Sequence, residues 1–229
     1  MSTTEEDGTT GVRVLEAHED HFHEGATTTD CPGIHGEGTA ADEHVVFGCE
    51  DGALMYADGE FTKFRAPDDY GRMGNAYVSE DSPLVVGDYE DDPEYAGYVR
   101  EHVALIDTEA ESYEVVELPD GLGYTWRGIV RGPDARAHVL ATDGAIHTLD
   151  PATGELGASV PVMEAWEGPE DWQDPHPAMT TDGEIAYVAE PGGSGGGRIH
   201  AVDLAAGEVI ASVDVDFAPN EMAVALGGE

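Results

Sequence analysis

Lysine is almost absent from this chain. Lys63 is the only one, and with the arginines it makes nine basic residues against 49 acidic ones, a formal net charge of −40 over 229 residues. Such a surface repels nucleic acid and anionic lipid, which excludes both as partners. No apolar run approaches the length of a membrane span, and the opening MSTTEEDGTT lacks the basic and apolar regions of a signal peptide. Taken literally, the chain is cytosolic. There is no G-x-S-x-G elbow, no H-E-x-x-H and no phosphate-cradling glycine loop ahead of a helix, so the usual nucleophile and nucleotide signatures are missing. Gly192–Gly197 (GGSGGG) reads as a flexible loop tip. Cysteine is limited to Cys31 and Cys49, neither in a C-x2-C pair. They suit a disulfide, two separate thiols or a single metal ligand. A disulfide would imply an oxidising compartment, in conflict with the missing export signal.

Disorder does not follow from the charge, because 40% of the residues are hydrophobic and fall into patterned runs. An acidic, lysine-poor surface with an ordinary apolar fraction points to adaptation to very high salt, where screening removes the self-repulsion. Thirty glycines, 13 prolines and many short β-rich runs predict an all-β fold with tight turns. The segments 44–67, 102–119, 137–162 and 198–215 each read as strand, turn, strand. Their turn residues Asp58, Asp107, Asp150 and Asp203 recur 49, 43 and 53 residues apart. That period fits a β-propeller of four-stranded blades rather than a β-sandwich meander. Blades are expected over 35–66, 73–119, 124–162 and 175–216, with a last strand near Met222–Leu226, giving four to five blades and an incomplete propeller. VRVLEAHED (12–20) reads as the tail of an earlier repeat, as in the C-terminal part of a longer propeller. The domain division is an acidic, His-rich and largely loop-like segment over 1–30, then blades over 31–229.

Histidine is concentrated. Four of the ten fall between residues 16 and 37 (His18, His21, His23 and His35), among Glu16, Glu19, Asp20, Glu24 and Glu37. Imidazole suits Zn²⁺, Cu²⁺ and Ni²⁺, and two imidazoles with a carboxylate from Glu16, Glu19 or Glu24 make a three-ligand site with an open position. His21 and His23 project to the same side of an extended chain, while His18 needs a bend to join them. His35 stands in a turn between Gly33 and Gly36, where glycine allows close approach. His176 is fenced by Pro175 and Pro177, with Asp174 as its supporting partner and Trp166 and Trp172 nearby. His18, His21, His23, His35 and His176 are the candidate metal ligands. The strand histidines His44, His102, His138, His147 and His200 are read as packed or hydrogen-bonded residues.

The run Cys31-Pro32-Gly33-Ile34-His35-Gly36-Glu37, followed by the strand His44–Gly52, resembles AztD-type proteins, and Phe217–Met222 looks like that family's turn into the last strand. These are β-propeller zinc metallochaperones that pass zinc to the solute-binding protein of an ABC importer. The resemblance implies Zn²⁺ binding, an extracytoplasmic location, no enzymatic activity and a Cys31–Cys49 disulfide. The chain departs from the family in being shorter and in lacking the export signal. Two other classes compete: a metal-dependent, lactonase-like propeller hydrolase holding its ion with carboxylates and amides, and a metal-free protein-interaction propeller.

Overall fold

The computed structural model describes residues 1–4, 8–94, 98–193 and 195–225. The elements there are twenty strands and two short 3-10 turns, and no helix among these residues is long and apolar enough to cross a membrane. A three-stranded sheet, β1 (Ser2–Thr4), β2 (Thr10–His18) and β3 (His21–Thr28), comes first. The first four-stranded blade is β4 (His35–Thr39), β5 (Val45–Cys49), β6 (Asp51–Ala57) and β7 (Glu60–Arg65), with the two-residue β8 (Gly71–Arg72) paired to β6. The second is β9 (Ala76–Ser79), β10 (Ser82–Tyr89), β11 (His102–Asp107) and β12 (Ser112–Glu117). The third is β13 (Ile129–Arg131), β14 (Ala137–Leu140), β15 (Ala145–Leu149) and β16 (Leu156–Pro161). The fourth is β17 (Ala178–Thr181), β18 (Ile185–Pro191), β19 (Gly197–Asp203) and β20 (Glu208–Val215). In every blade the strands run in sequence order as an antiparallel meander, so the all-β propeller-blade architecture and its four repeats stand where the sequence put them.

The turn aspartates explain the regularity. Asp107 accepts from the Glu109 and Ala110 amides at 3.0 and 2.9 Å, Asp150 from Ala152 at 2.9 Å, and Asp203 from Ala206 at 2.8 Å. A carboxylate that caps its own turn offers the chain a preformed reversal at each repeat. Asp58 works differently. With Gly59 it takes positive φ (49° and 88°), the two-residue hairpin geometry that matches strand twist.

Two compact units emerge, one of Met1–Pro93 with Val103–Val116 and one of Glu94–His102 with Glu117–Glu229. The first buries Val46, Met55, Phe64, Met73, Val85, Tyr89 and Ile106 together, and a second cluster gathers Val12, Phe47 and Leu54 around Cys31 and Cys49. The second unit packs Val130, Leu140, Ile146, Met179, Val188 and Val202. Alternation along β5 and β6 puts Val46 and Met55 on one face and Phe47 and Leu54 on the other, so this blade is buried on both sides.

Two expectations need correction. Residues 1–30 are not largely loop: Thr10–His18 and His21–Thr28 pair across the tight turn at Glu19-Asp20, with Val12 buried at the base. Thr10 ties that base down, donating its hydroxyl to the Cys31 carbonyl at 2.8 Å. The hydrophobic signal was weak because only the base of the hairpin is buried. Nor do the described residues of the expected last strand form one. Met222–Ala225 is irregular, and Leu226 lies outside the described residues, as does Ser194 of the glycine-rich loop. Instead Met222, Ala223 and Val224 line an open apolar pocket with Thr180, Tyr187 and Ile199, covering a face of the fourth blade.

Candidate functional site

The hairpin β2–β3 builds the densest imidazole group. Its register sets His18 directly opposite His21 and Glu16 opposite His23. Opposed residues and their i+2 neighbours share one face of a ladder, so all four side chains stand on the same side, and Leu15, Ala17, Phe22 and Glu24 on the other. Ring centroids are 5.6 Å apart for His18–His21 and 4.7 Å for both His18–His23 and His21–His23. The tight turn supplies the bend that brings His18 to its partners. The group is exposed and open to solvent on the hairpin's face.

His21 is oriented from behind. Its Nδ1 lies 2.9 Å from Asp20 Oδ1, the arrangement that fixes a tautomer and leaves Nε2 for another partner. That Nε2 faces His23 Nε2 at 3.0 Å, so one of the two nitrogens carries the proton and donates to the other. Two nitrogens bound to one tetrahedral zinc at ~2.05 Å stand about 3.3 Å apart, close to this spacing. Replacing the shared proton by a cation therefore needs only a small opening of the pair. The rings are gathered but not preset: among the described residues, no group of three or more His, Cys, Asp or Glu side chains is arranged to hold a metal ion.

His35 begins β4 and is exposed. Its Nδ1 donates to the Gly74 carbonyl at 2.8 Å, which leaves Nε2 as the ring's unprotonated acceptor. Gly36, at φ 39°, is what permits that approach, since a Cβ there would sit 2.2 Å from the same carbonyl oxygen. The Cys31–Cys49 disulfide lies just upstream and is fully buried, with the Glu50 amide donating to the Pro32 carbonyl at 2.9 Å.

His176 is buried, and its Nδ1 donates to the backbone carbonyl of Asp174 at 2.8 Å rather than to that residue's carboxylate. Burial pushes its pKa down and the Arg127 charge adds to this, against opposing contributions from Asp174 and Glu221. Arg127 donates to the side chain and carbonyl of Asn220 at 2.6 and 3.2 Å and pairs with Glu221 at 3.1 Å, binding the C-terminal segment to this blade. A cation beside His176 would face both desolvation and the guanidinium. Trp166 donates its indole N–H to the Ala141 carbonyl, and Trp172 is exposed. The sequence offered no signal for the Arg127–Asn220 clasp, whose members lie 93 residues apart. The partnership of Asp20 with His21 was legible only as adjacency.

The strand histidines are held in the sheets. His200 bridges Glu190 and Ser212, both at 2.9 Å, and His147 meets Asp143 at 2.9 Å. His138 is 4% exposed, and burial, with Arg136 and Arg131 nearby, pushes its pKa down to about 4. The folded state thus holds it neutral at pH values where the unfolded chain takes up a proton. Its contribution is complete above about pH 6.5 and is lost as pH falls toward 4, up to about 3 kcal/mol. Urea midpoints measured from pH 7 to 4 are expected to fall less steeply for His138→Gln than for the parent. Parallel curves would contradict this.

No family model matches the chain. The zinc chaperone AztD of Citrobacter koseri is 24% identical over 199 residues, covering 86% of this chain and 45% of that protein. The crystal structure of apo AztD from the same organism superposes with a TM-score of 0.62 at 22% identity, over 83% of this chain and 50% of the other. A second AztD crystal structure gives 0.61. Hydrazine synthase from Kuenenia stuttgartiensis gives 0.53 at 16% identity, a likeness of fold alone. The chain spans about half the length of the curated relative it matches. Over that half, the chain is similar to the zinc chaperone in sequence and to the AztD structures in fold.

Proposed function

We propose that this protein is a zinc metallochaperone that captures Zn²⁺ on the β2–β3 hairpin and passes it to the solute-binding protein of an ABC importer. The observation that carries the reading is the set of three imidazoles on one hairpin face, with His21 and His23 Nε2 atoms 3.0 Å apart. Likeness to a protein named as a zinc chaperone supports the choice of metal and the handover role. Zinc here is cargo, so an exposed, incompletely organised ligand group is an advantage: an acceptor displaces the ligands one at a time.

His35 is the better placed of the two candidate holding residues. Its tautomer is fixed and the residue is exposed, whereas His176 lies buried beside Arg127. The Cys31–Cys49 disulfide supports an oxidising, extracytoplasmic setting. The test is an equilibrium zinc titration of the parent and of a variant lacking the three hairpin imidazoles, at molar salt.

A further inference from the structure

We infer that Glu16 supplies the anionic ligand that completes the hairpin's metal site, giving a three-imidazole, one-carboxylate set for a borderline divalent cation. The inference rests on the reading of the hairpin as a capture site and names a ligand within it. Four acidic side chains lie along this stretch, and the register separates them. Glu24 stands opposite Leu15, on the face turned away from the imidazoles, and its carboxylate pairs with Arg13 at 3.1 Å. Asp20 is engaged with His21 Nδ1 and acts behind that ring. Glu19 is in the turn, beyond the last paired residues His18 and His21. Glu16 alone of the four is directly opposite a histidine, His23, on the imidazole face.

Its side chain is exposed. Glu16 Oε1 lies 3.1 Å from where a Cβ on Gly25 would stand, so the side chain leans along the face past His23. Glycine at position 25 lets the carboxylate lie there, and ligation in the proposed site requires it to turn toward the rings. The electrostatics favour that movement once a cation arrives. Three neutral imidazoles leave the full dipositive charge on the ion, and one carboxylate halves it.

Zinc affinity of the full-length chain, measured by competition with a chelating dye at fixed pH and salt, tests the assignment. Glu16→Gln keeps the side-chain size and removes the charge, and it is expected to weaken the hairpin site by about 10–100-fold. Glu24→Gln, on the opposite face, is expected to stay within about twofold of the parent. Circular dichroism on each variant establishes that the sheets are intact, and Glu16→Asp provides a second variant that retains the charge and is expected to recover part of the lost affinity. Glu16→Gln binding as tightly as the parent, while loss of the three imidazoles abolishes the site, overturns the ligand assignment and leaves the capture reading standing. A parent with no hairpin-dependent site overturns both.

Discussion

Replacing His18, His21 and His23 together by alanine is expected to abolish tight zinc binding by the hairpin, a loss of at least about a hundredfold in affinity. Each imidazole contributes a nitrogen donor on the same face of one ladder, and no described residue on that face replaces it. The variant should keep its fold, because all three rings are exposed and the hairpin's buried anchor is Val12. Single substitutions sort the ligands further. His21→Ala removes the ring that bonds to both Asp20 and His23, so it should cost more than His18→Ala, whose ring only stacks against its neighbours. Equal affinity in the parent and triple variant would remove the hairpin from any account of zinc capture.

Loss of the Cys31–Cys49 disulfide is expected to have the largest effect on stability. The bridge spans 18 residues of sequence, and closing a loop of that size stabilises by about 3 kcal/mol through the unfolded state. For a chain of this length, that corresponds to a melting midpoint lower by roughly 6–12 °C. Both sulfurs are buried in the cluster with Val12, Phe47 and Leu54, so a Cys31→Ala/Cys49→Ala variant also loses packing. The segment it restrains joins the hairpin base to the blade that carries His35, through the Thr10–Cys31 and Glu50–Pro32 hydrogen bonds. Calorimetry of parent and variant at the same salt concentration checks the size. An unchanged midpoint would show that packing alone holds this segment.

The blades were legible because their determinants are local. Each repeat carries its own apolar alternation and a turn aspartate, which in three of the four bonds to amides two or three residues on and in the first takes positive φ, so strand order follows from spacing. The hairpin over Thr10–Thr28 was not legible, since its outer half carries acidic and imidazole side chains on one face and leaves Leu15, Ala17 and Phe22 exposed on the other, so burial marks neither face there. The histidines could be flagged from sequence, but the choice among neighbouring carboxylates could not. That choice depends on register, and a slip of one residue would put Leu15 where Glu16 stands. The Arg127–Asn220 clasp is a contact between distant segments, which no local pattern encodes.

A handover experiment tests the central claim most directly. Zinc-loaded protein is mixed with the apo solute-binding protein of a zinc importer, and zinc arrival is followed as acceptor concentration rises. Direct ligand exchange predicts a transfer rate that climbs with acceptor concentration, exceeds spontaneous zinc release and disappears in the His18/His21/His23→Ala variant. A rate equal to spontaneous release at every acceptor concentration would contradict the account.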